Sequence, residues 1–336
     1  MSDYHTTLRF LYDLQLFGIK VGLENIKSLL SFLGNPEKRL TCIHIAGTNG
    51  KGSTAAMIAS ILTASGYKTG LYTSPHLIDF PERIRIDGES ISRRIIVELT
   101  KSLRPIIERR RATFFEATTA IAYQYFADQE VDVAVIETGL GGRWDATNVI
   151  TPILSIITNI GLEHTEYLGK TYSHIAFEKG GIIKPGVACL TGTTNKAALN
   201  TLRRIAKRKA SHFSRAPGIS SDEIRHRSLS GLRANIRTKR TMYRNLDIRL
   251  AGDHQASNAQ LALLAMEEMQ DAGFERVSKK SVRDGLRSIR KNTSFRGRME
   301  ILSEQPPVVA DVAHNPDGIQ AQIGRASCRE RVYVLV

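Results

Sequence analysis

The amino-acid sequence predicts an α/β fold: an open, mostly parallel sheet with a phosphate-type loop and helices on both faces, followed by the start of a second, Rossmann-like α/β domain. Three observations carry this reading. A short apolar run, residues 40–46, enters a glycine-rich turn that opens a helical stretch. Short runs of β-branched residues then alternate with stretches of helical periodicity. With 42% hydrophobic and 24% charged residues among 336, the chain also has the apolar content of a globular protein and the length of one large or two ordinary domains.

Taken in order, residues 6–34 read as two short helices, the second over 22–33 and stopped by Gly34, Asn35 and Pro36. Residues 40–46 form a strand, 53–64 a helix ended at Gly66, and 68–72 another strand, a βαβ pattern. A helix is expected over 116–128, strands over 131–136, 153–158 and 187–191, and a helix end at 175–180. Residues 255–272, rich in Ala, Leu and Met, read as a helix, and 308–312 as a new strand after 295–300. The first domain is therefore expected over 1–295 and the second from 296 to 322. Residues 323–336 stand apart. The stretch from Ile323 to Val332 resembles the translation of a common sequencing-adapter oligonucleotide, so a non-native tail and a shortened second domain are expected.

The net charge is +14, with a pI near 9.8, which admits nucleic acid, an anionic membrane or anionic small substrates as partners. The excess is local. Residues 203–249 hold 14 Lys and Arg but only three acids, Asp222, Glu223 and Asp247. That stretch has just two aromatics, Phe213 and Tyr243, and no recognisable RNA or DNA module, so it reads as a solvated face and no nucleic-acid partner is expected. No run approaches the ~18 apolar residues of a membrane span. The opening residues lack a secretory pattern, and Cys42, Cys189 and Cys328 are too few and scattered for a disulfide framework or zinc site. The expected setting is cytoplasmic, with no membrane partner.

The chemistry starts at Gly47, Thr48, Asn49, Gly50, Lys51, Gly52, Ser53 and Thr54. Consecutive backbone N–H groups in such a turn form an anion nest, and the helix N-terminus behind it adds positive potential. Lys51 can reach terminal phosphates, and the hydroxyls of Ser53 and Thr54 suit phosphate or metal. The strict GxxxxGK[ST] spacing is not met, since Ile45 and Gly52 occupy two of its positions. Glu137 ends an apolar strand, where open α/β sheets place their ligands, and a carboxylate there suits Mg²⁺.

The loop resembles the ATP loop of the folylpolyglutamate synthase and dihydrofolate synthase family, within the Mur ligase superfamily. Further motifs agree in order. They include Tyr72-Thr73-Ser74-Pro75-His76-Leu77 followed by Glu82-Arg83-Ile84, and Phe114-Phe115-Glu116-Ala117-Thr118. Glu137-Thr138-Gly139-Leu140-Gly141-Gly142-Arg143, with Asp145-Ala146-Thr147-Asn148, is the most specific stretch. Segments 159–164, 178–184, 252–258, 297–300 and 311–317 follow, so the resemblance spans about residues 10 to 322.

The resemblance implies a Mur ligase central-domain fold and ATP-dependent amide formation. A carboxylate is a poor electrophile, and transfer of the γ-phosphoryl group makes an acyl phosphate that the amino group of glutamate attacks. The implied cofactors are ATP and Mg²⁺, and the implied substrates are L-glutamate with folate or dihydropteroate. Thr48, Asn49, Gly50, Lys51, Gly52 and Ser53 would hold ATP, with Asn258 on the adenine side and Arg298 and Asp311 at the start of the second domain. Ser74, Glu137 and His164 would serve Mg²⁺. Lys179 matches a lysine carbamylated in the family, and His314 lies in a matching His-Asn-Pro motif; with Lys51 these form the expected catalytic set. Thr113 and Trp144 would meet the pterin. Read from the residues alone, Trp144 suits stacking on a flat ring or core packing equally, and Lys179 suits a solvated helix position. Gly180 replaces the family's usual Ala and is expected to loosen its helix by ~1 kcal/mol. Phe295-Arg296-Gly297 departs from the family's Trp-Pro-Gly-like turn. A monomer is expected. With the second domain cut short, the chain as written is expected to bind ATP weakly and not to complete the reaction. The alternatives are another Mur-type amino-acid ligase, disfavoured because the loop already stands at residue 47 with no preceding domain, and a basic P-loop nucleic-acid-binding protein.

Overall fold

The computed structural model describes residues 2–18, 20–304, 307–312, 315 and 333–335. Among them, eight strands make the main sheet: β1 (Cys42–Ala46), β2 (Thr69–Tyr72), β3 (Ile84–Ile86), β4 (Glu89–Ser90), β5 (Val133–Glu137), β6 (Leu154–Ile157), β7 (Ala188–Thr191) and β8 (Phe213–Arg215). Their order is β4-β3-β2-β5-β1-β6-β7-β8. All pairs from β2 to β8 are parallel, while β3 and β4 are antiparallel additions at one edge. β1, β5 and β6 are buried at every position, as strands covered on both faces must be.

The predicted strands and helices appear, most with their ends moved by a residue or two; the first helix begins at Ser2 rather than residue 6, and helices Arg93–Arg110 and Lys196–Arg208 were not expected. One connection differs from the simple βαβ reading: β5 lies between β1 and β2. The Lys51–Ala64 helix that joins them is buried on nearly all sides rather than along one stripe. Its inner face meets β1, β2 and β5, and its outer face is covered by helices His254–Asp271 and Lys279–Arg287. Gly285 makes the second contact possible, since a Cβ there would stand 2.6 Å from the Ile61 Cα. On the other face, helices Ser2–Asp13, Glu24–Phe32, Arg93–Arg110 and Phe114–Asp128 build a second core around Tyr72, Tyr123 and Phe126.

The basic stretch holds more structure than its composition suggested. It ends in an antiparallel meander of β9 (Ser221–Ser228), β10 (Gly231–Arg237) and β11 (Met242–Ile248). Leu232, Ala234 and Ile236 of β10 point inward, with Arg233 and Arg237 exposed between them. Many of the arginines are spent on surface ion pairs, including Arg227–Asp253, Arg233–Asp247 and Arg240–Asp271. Such exposed pairs contribute little stability each. A third sheet is formed by β12 (Glu300–Glu304), β13 (Pro307–Ala310) and β14 (Tyr333–Leu335), the last parallel to β13 and drawn from the stretch set apart as a tail. Among the described residues no helix is long and apolar enough to cross a membrane, and Cys42 and Cys189 are buried free thiols.

Register brings the site together. Ile45 of β1 lies level with Glu137 of β5 and Ile156 of β6, and Tyr72 of β2 with Ile136 of β5. The loops after β1, β2, β5 and β6 therefore leave the sheet side by side at its C-terminal end, where ligands of open α/β sheets bind.

Candidate active site

The loop after β1 turns on Gly50, which has φ +83° and caps the Lys51–Ala64 helix. A Cβ on Gly50 would collide with the Asn258 side-chain oxygen at 2.4 Å. The same Asn258 is held by Gln255, whose amide reaches the Ser53 hydroxyl at 3.4 Å. Asn258 thus presses on the loop itself as well as belonging to a polar cluster at its helix start. Thr48 and Asn49 are fixed from the strand beyond: Thr48 Oγ1 donates to the Gly161 carbonyl at 3.2 Å, and the Asn49 N–H donates to Asn159 Oδ1 at 2.7 Å.

Two lysines converge on one carbonyl. Lys51 Nζ donates to Gly47 O at 3.0 Å and Thr48 O at 3.1 Å, and Lys179 Nζ donates to Gly47 O at 2.7 Å. Lys179 is 2% exposed, so it is not a solvated helix lysine. Burial, reinforced by the Lys51 charge, pulls its pKa down to about 7. A substantial share of its amine is therefore unprotonated and nucleophilic at neutral pH. Lys179 is the last residue of the Tyr172–Lys179 helix, with Gly180 just past its end. The interior-glycine cost expected there does not apply in full; instead a Cβ on Gly180 would meet the Ile205 Cδ1 atom at 2.6 Å.

Glu137 is buried beneath the loop. Its Oε2 accepts the Ser74 N–H at 3.1 Å, and Gly52 passes so close that a Cβ there would lie 3.5 Å from Oε2. Burial raises the Glu137 pKa, against the opposing pull of Lys51, the Ser74 N–H and Arg298. Phe295 packs over Gly52, and Arg298 lies over the Phe295 ring at 5.2 Å, with its charge facing Glu137 and Asp311. The Phe-Arg-Gly turn is thus made with Gly297 at φ +70°. Asp311 Oδ2 holds the Met299 N–H at 2.8 Å.

Beside Glu137 opens a cavity of about 540 Å³. Ser74 lines it and donates its N–H to Glu137, the carboxylate beneath the loop, so Ser74 and Glu137 link cavity and loop. Thr113 and Trp144 line it too. Thr113 caps the Phe114–Asp128 helix, in a capping box with Glu116. Trp144 is 43% exposed, which overturns core packing, and the Arg143 guanidinium lies 5.0 Å over its ring.

Comparison with known proteins agrees with this geometry. Residues 45–266 match the Mur ligase middle domain. The chain is 38% identical over 326 residues to the dihydrofolate synthase/folylpolyglutamate synthase of Bacillus subtilis, covering 95% of this chain and 75% of that protein. The chain belongs to the folylpolyglutamate synthase and dihydrofolate synthase family of Mur ligases. Its structure matches the crystal structure of Thermotoga maritima folylpolyglutamate synthase with a TM-score of 0.84 and 38% identity, over 96% of this chain and 74% of that one. A folylpolyglutamate synthase complex with AMPPCP and folate matches with a TM-score of 0.87 and 35% identity, over 96% and 79% of the two chains.

In this member of the ligase family, two predicted site residues lie apart from the cluster or beyond it. His164 stands at the exposed rim, at φ +49°, 3.7 Å from Glu163. His314 lies outside the described residues. Among the described residues no cluster of three or more His, Cys, Asp or Glu is poised for a metal ion. The donor chemistry nevertheless suits magnesium: a buried carboxylate, Glu137, next to a serine. Several residues without an assigned role also matter. Asn315 exchanges amide hydrogen bonds with Asn49 at 2.9 and 3.2 Å and reaches Glu163 at 3.1 Å. Asp145, buried and with a pKa raised by burial, holds the Leu140 and Thr147 N–H groups and so shapes the loop under Trp144. Arg143 makes a two-point pair with Glu178, which ties that loop to the Lys179 helix. Asp145 and Arg143 stand in a motif quoted from the sequence, but only the fold shows what they touch.

Proposed function

We propose that this ligase joins the amino group of L-glutamate to the carboxylate of dihydropteroate or a folate, at the expense of ATP and through an acyl phosphate. The observation that carries the reading is the Ser74–Glu137 bond that links the cavity to the anion loop, because a γ-phosphoryl group in the loop and a carboxylate in the cavity would meet across it. The cavity's size and its exposed tryptophan suit a pteridine. The names of the relatives support the substrate class.

The residues divide the work. The loop N–H groups from Thr48 to Ser53 and the Lys51 ammonium receive the phosphates, and Asn258 braces the loop from behind. Arg298 and Asp311 approach from the second domain's first turn. Magnesium, held by Glu137 and Ser74 with His164 at the rim, would neutralise phosphate charge when bound. Lys179 offers a free amine at neutral pH, which is what carbamylation by carbon dioxide requires. Thr113 and Trp144 hold the pterin, and the enzyme works in the cytoplasm. The test is phosphate release, with ATP, glutamate and either dihydropteroate or tetrahydrofolate, by a protein that carries this chain within the full length of its relatives, of which the chain spans 75% in the Bacillus case. Release that needs all three substrates is expected; release indifferent to the pterin would refute the reading.

A further inference from the structure

The cavity wall next to Ser74 contains a charged group to which no role has been given. Arg83 is 7% exposed and lines the cavity. Its guanidinium lies 5.1 Å over the Phe114 ring, and its Nε–H donates to His76 Nδ1 at 2.7 Å. Among the described residues its two terminal nitrogens make no hydrogen bond, although its charge faces Glu137. A buried fork with two idle ends is suited to a carboxylate.

The bond from Arg83 also fixes the histidine. Guanidinium only donates, so Nδ1 of His76 must accept and carry no proton. The ring proton then sits on Nε2, 3.3 Å from the Tyr12 hydroxyl, which accepts it. Tyr12 in turn stacks on Phe114 at 5.6 Å. Tyr12 and Arg83 thus lean on Phe114 while His76 lies against Phe80 at 6.2 Å, and the imidazole sets which way the guanidinium fork points.

Resting on the function proposed above, we infer that Arg83 receives the carboxylate of the pterin substrate that is to be activated, and that His76 is the positioning residue that aims it. The place is right. Arg83 lines the cavity with its charge facing Glu137, where the carboxylate must lie to reach the γ-phosphoryl group.

Trp144, the sole tryptophan, lines the same cavity and makes binding readable without turnover. The full chain is titrated with dihydropteroate and with its neutral carboxamide, following Trp144 fluorescence, in wild type, His76→Leu, His76→Asn, Arg83→Leu and the double Leu variant. Wild type should prefer the carboxylate by about tenfold or more. His76→Leu should lose most of that preference, with ATP affinity unchanged. His76→Asn should recover it, because its side-chain oxygen can stand in for Nδ1. In the Arg83→Leu background, His76→Leu should cost nothing further. Equal preference in wild type and His76→Leu, or an additive loss in the double variant, overturns the inference while leaving the ligase reading intact. Failure of wild type to bind either pterin overturns both. Should His76→Leu not fold, His76→Asn and Arg83→Leu carry the test, and full carboxylate preference in Arg83→Leu overturns it.

Discussion

Replacing Lys179 with Met tests the buried amine through stability rather than activity. An ordinary lysine titrates at 10.5, and Lys179 in the fold at about 7. Between those values the unfolded chain holds more protons at this position than the folded chain, so stability rises with pH across that window. Each pH unit of difference is worth about 1.4 kcal/mol, so the buried lysine costs about 4 kcal/mol at pH 7 and about 2 kcal/mol at pH 9. Methionine has no such cost. It forfeits the hydrogen bond to Gly47 O, worth about 1 kcal/mol, and that carbonyl keeps Lys51 as a donor. Lys179→Met should therefore be more stable than wild type by about 3 kcal/mol at pH 7 and by about 1 kcal/mol at pH 9. Urea unfolding of both proteins at the two pH values, in buffer stripped of carbon dioxide, measures the gap. A gap that does not narrow with rising pH, or a wild type more stable at pH 7, would refute the reasoning.

Further outcomes follow from the loop and the cavity. In a protein that carries this chain within the full length of its relatives, Lys51→Ala should abolish ATP turnover while far-UV circular dichroism stays native; full activity would contradict the loop's role. Glu137→Gln keeps the shape of the buried side chain and removes its charge, so the magnesium-dependent rate should collapse; an unchanged magnesium titration counts against the assignment. Gly139→Ala would set a Cβ 2.5 Å from Phe115 Cζ, so the ring must swing toward the cavity it lines. The KM for the pterin should rise several-fold with the KM for ATP unchanged, and equal values for both proteins would show that the ring has room to yield.

The parallel core was legible because β1, β5 and β6 are buried on both faces and so read as mostly apolar runs, interrupted by His44 and Ser155 and ended by Glu137. The glycine loop was legible for a related reason, since a turn followed by an Ala-rich helix leaves a local signature. The meander was not. Leu232, Ala234 and Ile236 do alternate, but irregular register with both neighbouring strands and a run of arginines hide the pattern. Trp144 and Lys179 show the opposite limit. Residue type left Trp144 equally open to ring stacking or core packing, and offered Lys179 a solvated helix position. The fold excluded core packing for the first and solvent for the second, because the loop from Gly139 to Asn148 lifts the indole out while the helix end drives the amine under Gly47. Arg83 and His76 stood in a motif quoted from the sequence, but their pairing carried no local signal, since its meaning depends on Tyr12 and Phe114, far away along the chain.

The single carbonyl of Gly47, shared by two ammonium groups, imposes a timetable. A phosphate settling in the loop competes with that carbonyl for Lys51 and brings negative charge toward Lys179. Lys51 drives protons off Lys179, whereas an anion draws them back. Any chemistry that consumes the free amine of Lys179 therefore runs best while Lys51 is still turned toward Gly47, and slows once nucleotide has arrived.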